Sequence, residues 1–361
     1  MLIVHSEAPF NAEPPLDALR ASFITPQDRF YRRSHGAVPR LHAARHRLRV
    51  GGEVSAPLDL SLAELKGRFV HRTVTATLQC AGNRRGELQA VRPTSGDPWA
   101  AGAIGNARWT GVALADVLRE AGGVTGVGRH VALQADDLVA QPGGAAFRFG
   151  VSIPVAKALS PEVLLAWAMN GEELAPEHGY PLRAVVPGYA GVRSAKWLTG
   201  ITVQDRPSDT PVQQQDYKLV PPDVTADTVD WARGVTINEM PLNAAICEPG
   251  AGAALAAGPT TVRGYAIASG RGVARVDVSG DGGRSWIEGT LEAREGVPGE
   301  GAPWSWTFWH ALLDLRPGER DLVVRAWDSA GQTQPATPDE VWNFKGYLCA
   351  SWHRVRVRVG A

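Results

Sequence analysis

The chain has 361 residues and 44% hydrophobic content, enough for two separate cores. Lys+Arg and Asp+Glu both number 37, so the formal net charge is zero, and a nucleic-acid binder, which needs a clustered basic face, is a poor fit. No apolar run approaches the roughly 20 residues of a membrane span, and three cysteines (Cys80, Cys247, Cys349) give neither a disulfide framework nor zinc-finger spacing, which suits a reducing compartment.

Residues 1–40 are rich in Pro and polar side chains and are predicted to form an extended arm over a domain. The N-terminus shows no basic start with an apolar stretch behind it and no twin-Arg signal. A soluble cytoplasmic protein is expected, or a periplasmic one if a signal has been removed. His46–Val50 alternates like a strand, and Gly51-Gly52 turns the chain. Ser61 with Glu64 reads as a capping box, with Gly67 closing the short helix it starts. A strand over Thr73–Leu78 leads to Cys80. Residues 111–121 are predicted as a helix with Leu114, Val117 and Leu118 on one face, ended by Gly122-Gly123. Val163–Met169 is a predicted strand with Asn170-Gly171 as its hairpin turn, followed by strands at Leu182–Val186 and Trp197–Val203. No βαβ rhythm is present, so residues 1–204 are expected to be α+β. Residues 205–234, rich in Pro, Asp and Gln, read as a surface linker. Residues 235–361 read as an all-β sandwich, with strands at 261–267, 274–278, 321–327 and 353–359 and a tight turn at Asp281-Gly282. Trp304, Trp306, Phe308 and Trp309 suit a core or an interface.

The chemistry concentrates at Thr77-Leu-Gln-Cys80-Ala-Gly-Asn-Arg84-Arg85. Positive charge beside a thiol favours thiolate, the form that binds metal or attacks. Taken alone, Cys80 is open to three other readings: a buried free thiol, a Cys–His pair and, least well supported, a zinc ligand.

TLQCAGNRR resembles the molybdenum-binding motif of the sulfite oxidase family and of related assimilatory nitrate reductases. Further stretches are similar in the same order: PFNAEPP with TPQDRFYRRSHG, Ala103–Trp109, His178–Arg183, Pro187–Trp197, Gln215–Lys218, Gly280–Trp286 and Trp342–Gly346 with Ser351–Arg354. They run from about residue 8 to about residue 358. The resemblance implies an α+β molybdopterin domain followed by an immunoglobulin-like domain used for homodimerisation. It implies molybdenum held by one pterin dithiolene and by Cys80, a soft ligand of the kind such a centre takes. It places Arg33, Arg85, Trp99, Tyr217 and Lys345 at the substrate pocket, and Arg33, Ser34, His35, His178, Arg183, Ser194 and Lys196 around the pterin and its phosphate. Guanidinium forks suit a sulfite or sulfate dianion. Cys247 and Cys349 are expected to be core residues without function.

Two positions depart from the family pattern. Lys345 replaces its usual Arg and lacks the bidentate fork, so weaker sulfite binding is expected. Ser34 stands where Asn is common. No haem, flavin or nicotinamide motif is visible, so electrons are expected to pass to an external cytochrome or to oxygen. The resemblance therefore implies sulfite oxidation as the activity. Reduction of an oxyanion or sulfoxide is the alternative, and a cofactor-free β-rich binding protein a remote one.

Overall fold

Strands dominate the regular structure, and alternation of buried and exposed side chains marks some of them, as in His353–Val359. The computed structural model describes residues 1–141, 143–292 and 303–360. Its helices are short, the longest spanning seven residues, and among the described residues none is long and apolar enough to cross a membrane.

The N-terminal part is built on two sheets, the first wholly antiparallel. One sheet orders Glu172–Glu173, Leu164–Met169, Ile104–Ala113 and His71–Gln79, with Arg183–Val185 also paired to Leu164–Met169. The other orders Leu58–Ser61, Arg47–Gly52, Leu198–Gln204, His130–Val139 and Phe147–Pro154. Leu198–Gln204 runs parallel to Arg47–Gly52, and the other pairs in this sheet are antiparallel. A core including Leu48, Leu65, Leu118, Val151 and Leu198 fills the space between them.

Local signals and tertiary context agree at some points and conflict at others. Ser61 accepts from the Glu64 N–H while the Glu64 carboxylate accepts from the Ser61 N–H, completing the capping box. The helix runs through Gly67 to Arg68, however, and stops at extended Phe69. Asn170 (φ 58°) and Gly171 (φ 88°) make the left-handed pair that a tight hairpin requires. The predicted helix over 111–121 begins only at Leu114. Val112 pairs with Leu165 on one side and His71 on the other, so 111–113 finish a central strand whose two ladders outweigh helix propensity. The arm over residues 1–40 is more ordered than expected. Ile3–Glu7 and Phe10–Glu13 form a hairpin that adds Arg32–Arg33 as a third strand. Residues 205–234 include a π-helical turn, Val212–Asp216, with Val212 and Gln213 buried.

The C-terminal part is a two-sheet sandwich. Asn243–Glu248, Gly258–Ile267, Thr307–Leu315 and Thr290–Leu291 face a sheet of Ala254–Leu255, His353–Val359, Gly318–Asp328, Val273–Ser279 and Ile287–Glu288. Alternation along Thr307–Leu315 splits its aromatics. Trp309 enters the sandwich core, while Phe308 and the preceding Trp306 join Leu19, Ala101, Ile104 and Tyr265 between the two parts of the chain.

One buried ion network crosses that junction. Arg84, with no exposed surface, donates from Nε to Glu87 Oε1 (2.6 Å) and from Nη2 to Glu87 Oε2 (2.7 Å), and Nη1 donates to Asn243 Oδ1 (3.0 Å) and the Ser351 carbonyl (2.8 Å). Arg84→Met leaves Glu87 without its cation, and the expected loss is about 3 kcal/mol. It is read as a lower thermal midpoint; an unchanged midpoint would mean that the network does not hold the two parts together.

Candidate active site

Cys80 follows directly on the strand His71–Gln79, and its N–H donates to the Ala103 carbonyl at 2.9 Å. The side chain is 4% exposed, and Sγ accepts from the Gly82 N–H at 3.4 Å. Burial dominates the thiol and pushes it up, with the Arg33 and Arg85 guanidiniums pulling the other way. The sequence pairs Arg84 with Arg85, but only Arg85 serves Cys80. Arg84 takes a left-handed backbone (φ 67°) and turns into the inter-part network. The second cation is Arg33, from the N-terminal sheet.

Arg85 lies in a glycine cradle. A Cβ on Gly82, Gly96 or Gly346 would come within 2.6, 2.7 and 2.6 Å of its side chain. Its Nε donates to the Gly346 carbonyl (3.1 Å) and Nη1 to the Asp97 carbonyl (3.0 Å). Trp99 is fully buried near Cys80, and its indole N–H has no acceptor in the protein. Tyr217 leaves the π-helical turn fixed by Gln213, whose Oε1 accepts from the Ser152 N–H (2.9 Å) and from Arg193. The Tyr217 hydroxyl is 2.9 Å from His35 Nε2, and burial pushes its pKa up to about 12.

A cleft of about 650 Å³ opens beside Cys80. Arg33, Ser34, His35, His178, Arg183, Ser194, Lys196 and Tyr217 all line it. Burial and the Arg33 and Lys196 charges hold His35 well below the ordinary range, and burial above all holds His178 down at about 3, so both rings are neutral at pH 7. Lys196 donates to Ser34 Oγ (3.1 Å) and the Glu177 carbonyl (2.8 Å); burial and then Arg183 bring its pKa down to about 7. Arg183 donates to the carbonyls of His178 (2.8 Å) and Ser194 (3.1 Å). Among the described residues no carboxylate lies within ion-pair distance of Arg33, Arg85, Arg183 or Lys196. Buried and part-buried cations with no carboxylate in contact favour an anion here.

Arg85, Trp99 and Lys345 are not part of the cleft lining. The first two sit close behind Cys80. Lys345 points elsewhere, with Nζ 3.7 Å from Asp216 Oδ1.

The donor set fits a molybdopterin. The cleft pairs one thiol with unneutralised cations, and Asp137 Oδ1 is buried there without a partner, ready to accept from a heterocycle N–H. Among the described residues no three His, Cys, Asp or Glu side chains converge to hold a metal ion.

The family described as oxidoreductase molybdopterin binding domain matches residues 35–212, and that described as Mo-co oxidoreductase dimerisation domain matches residues 234–360. The chain is 46% identical to sulfite oxidase of Gallus gallus over 98% of its own length and 77% of that protein's, and 39% identical to sulfite oxidase of Arabidopsis thaliana over 99% and 94%. The chain belongs to the sulfite oxidase family. It spans 66% of the length of the mouse relative. Among solved structures, the sulfane dehydrogenase SoxCD from Paracoccus pantotrophus superposes with a TM-score of 0.81 at 26% identity, over 99% of this chain and 86% of that one.

Several residues of this family site carry no local sequence signal. Tyr31, Asp137 and Phe149 line the cleft from separate segments. Burial pushes Asp137 up to about 6. Glu13 accepts from the N–H groups of Ala100 (2.7 Å) and Gly102 (2.8 Å), clamping the loop that carries Trp99. Asn11, 4% exposed, donates to Asp97 Oδ2 (2.8 Å) and accepts from the Ser34 N–H (2.9 Å), tying the Arg33 segment to the Arg85 support.

Asn11→Asp sets two carboxylates against each other and is expected to cost on the order of 1–2 kcal/mol. The double variant Asn11→Asp/Asp97→Asn reverses the hydrogen bond and recovers most of that loss in unfolding midpoint. A double variant no more stable than the single one would show that this bridge is not the tie.

Proposed function

We propose that the protein oxidises sulfite to sulfate at a molybdenum–molybdopterin centre in this cleft and passes the electrons to an acceptor outside the chain, a cytochrome or oxygen. The observation that carries the reading is the convergence of Arg33, Arg85 and Tyr217 on Cys80, at the side of a cleft lined by uncompensated cations. The close relatives named as sulfite oxidases support it.

When bound, the molybdenum cofactor supplies the two-electron oxidation and the oxygen transfer. The chain supplies the rest. Cys80 contributes the thiolate ligand. Arg183 and Lys196 neutralise the pterin phosphate, with the Ser34 and Ser194 hydroxyls beside them. Neutral His35 and His178 each offer a ring N–H or a ring nitrogen to pterin heteroatoms, and Asp137 accepts from pterin N–H groups. Anion binding from solution raises the charged fraction of Lys196, whose pKa near 7 reflects burial and the neighbouring Arg183, only partly offset by Asp137.

Arg33 and Arg85 hold the sulfite dianion. Because carbonyls and the glycine cradle fix Arg85 beforehand, its charge costs no reorganisation as the substrate reacts. The indole N–H of Trp99 is a further donor for an anion oxygen. Tyr217, hydrogen-bonded to neutral His35, keeps its proton throughout the working pH range and serves as a fixed donor. Lys345 pairs with Asp216 outside the cleft lining and is not needed to hold the anion. Two copies pair through the C-terminal sandwich, as its match to a dimerisation domain supports.

Anaerobic addition of sulfite to oxidised protein of known molybdenum content is expected to bleach the thiolate-to-molybdenum absorption. No bleaching in fully loaded protein would sink the sulfite reading. Cys80→Ser is expected to fold and to show almost no turnover; a fully active serine variant would remove Cys80 from the centre. Tyr217→Phe is expected to slow turnover about 10–100-fold with molybdenum content retained, the scale of one lost pre-aligned donor.

A further inference from the structure

The segment Trp342–Cys349, in the connection between the sandwich strands Gly318–Asp328 and His353–Val359, reaches the site. Lys345 on this segment faces away from Cys80: its ammonium pairs with Asp216 and lies 5.4 Å from the Trp231 ring centroid. Two residues on, Tyr347 is 6% exposed and does reach the site. Its backbone is locked by one amide. The Tyr347 N–H donates to Asn343 Oδ1 (3.1 Å), and its carbonyl accepts from Asn343 Nδ2 (2.8 Å). Its ring stacks on Tyr217, with centroids 5.2 Å apart and planes 17° apart. The Arg85 guanidinium carbon lies 5.0 Å from the centre of the same ring. The carbonyl just before it, that of Gly346, accepts from Arg85 Nε. One side chain therefore touches both a guanidinium and a phenol that surround Cys80.

We propose that Tyr347 is a positioning residue of the anion pocket. Its ring sets the spacing between Arg85 and Tyr217, so that in this chain the pocket is closed by an aromatic spacer, with the cation at 345 held out by Asp216. The electron-rich ring face attracts the guanidinium, and the parallel offset contact holds the phenol. The ring does this work, and the Tyr347 hydroxyl is dispensable for it. The proposal rests on the sulfite reading for the identity of the anion and on the stack for everything else.

The test compares Tyr347→Phe with Tyr347→Leu in molybdenum-loaded protein, with KM and kcat for sulfite, sulfate affinity by calorimetry and metal content measured for each. Phe keeps both ring contacts; Leu fills the space without a π face. Tyr347→Leu is expected to raise KM and weaken sulfate binding about tenfold, the scale of losing a desolvated cation–π contact, with kcat within about threefold and metal content unchanged. Tyr347→Phe is expected to stay within about twofold of the parent in KM and sulfate affinity. Parent-like KM and sulfate affinity in the Leu variant, or equal damage in both variants, overturns the proposal. A fall in kcat and metal content at constant KM does so too, since that is what lost packing alone produces. Failure of the parent protein to be reduced by sulfite would overturn the substrate reading instead, and the sulfate affinities would still decide the role of Tyr347.

Discussion

Four cations at or beside the cleft that holds one buried thiol, with no carboxylate in ion-pair contact among the described residues, set the terms for the rest of this molecule. Arg33, Arg85, Arg183 and Lys196 are held by backbone carbonyls and one hydroxyl. Carbonyl dipoles orient a guanidinium without cancelling its charge, so the field stays directed into the cleft. The arrangement is costly in the free protein, as the lowered Lys196 shows. An anion that binds only the folded form recovers that cost, so ligand and fold stabilise one another.

The architecture delivers those carbonyls from turns and strand ends. Cys80 follows a strand whose whole length is paired, so the thiol is placed by a ladder and not by a loop. Arg33 comes from a sheet that the N-terminal hairpin completes, and Asn11 and Glu13 on that hairpin reach across to the loop supporting Arg85 and Trp99. Tyr217 follows a turn pinned by Gln213 to the strand Phe147–Pro154. A stretch that composition marks as a surface linker thus has one end buried beside the site.

What could be read beforehand follows from the range of each interaction. The capping box at Ser61 and the Asn170-Gly171 turn are fixed within four residues, and the structure contains both. The boundary at Leu114 could not be read, because two neighbouring strands decide it. The motif around Cys80 located the thiol and nearby Arg85, and family likeness collected the residues that line the cleft. Neither carries the partners chosen by tertiary contact. Asn11 looks like part of a polar arm, Asp137 like a strand-end acid, and Tyr347 like one more aromatic in a β-rich tail. Family likeness puts Lys345 at the substrate pocket, yet the direction of its ammonium depends on Asp216 and Trp231, more than a hundred positions away.

The contact between Arg85 Nε and the Gly346 carbonyl joins residues 261 positions apart. During synthesis the thiol and its neighbouring arginine leave the ribosome long before the segment that completes their surroundings. At the usual pace of translation, about 5–20 residues per second, that interval is some tens of seconds. Through it, the Arg85 guanidinium lacks one of the two backbone carbonyls that hold it in the finished fold. Chain order therefore sets when Arg85 meets its Gly346 acceptor, well after Cys80 and Arg85 have been made.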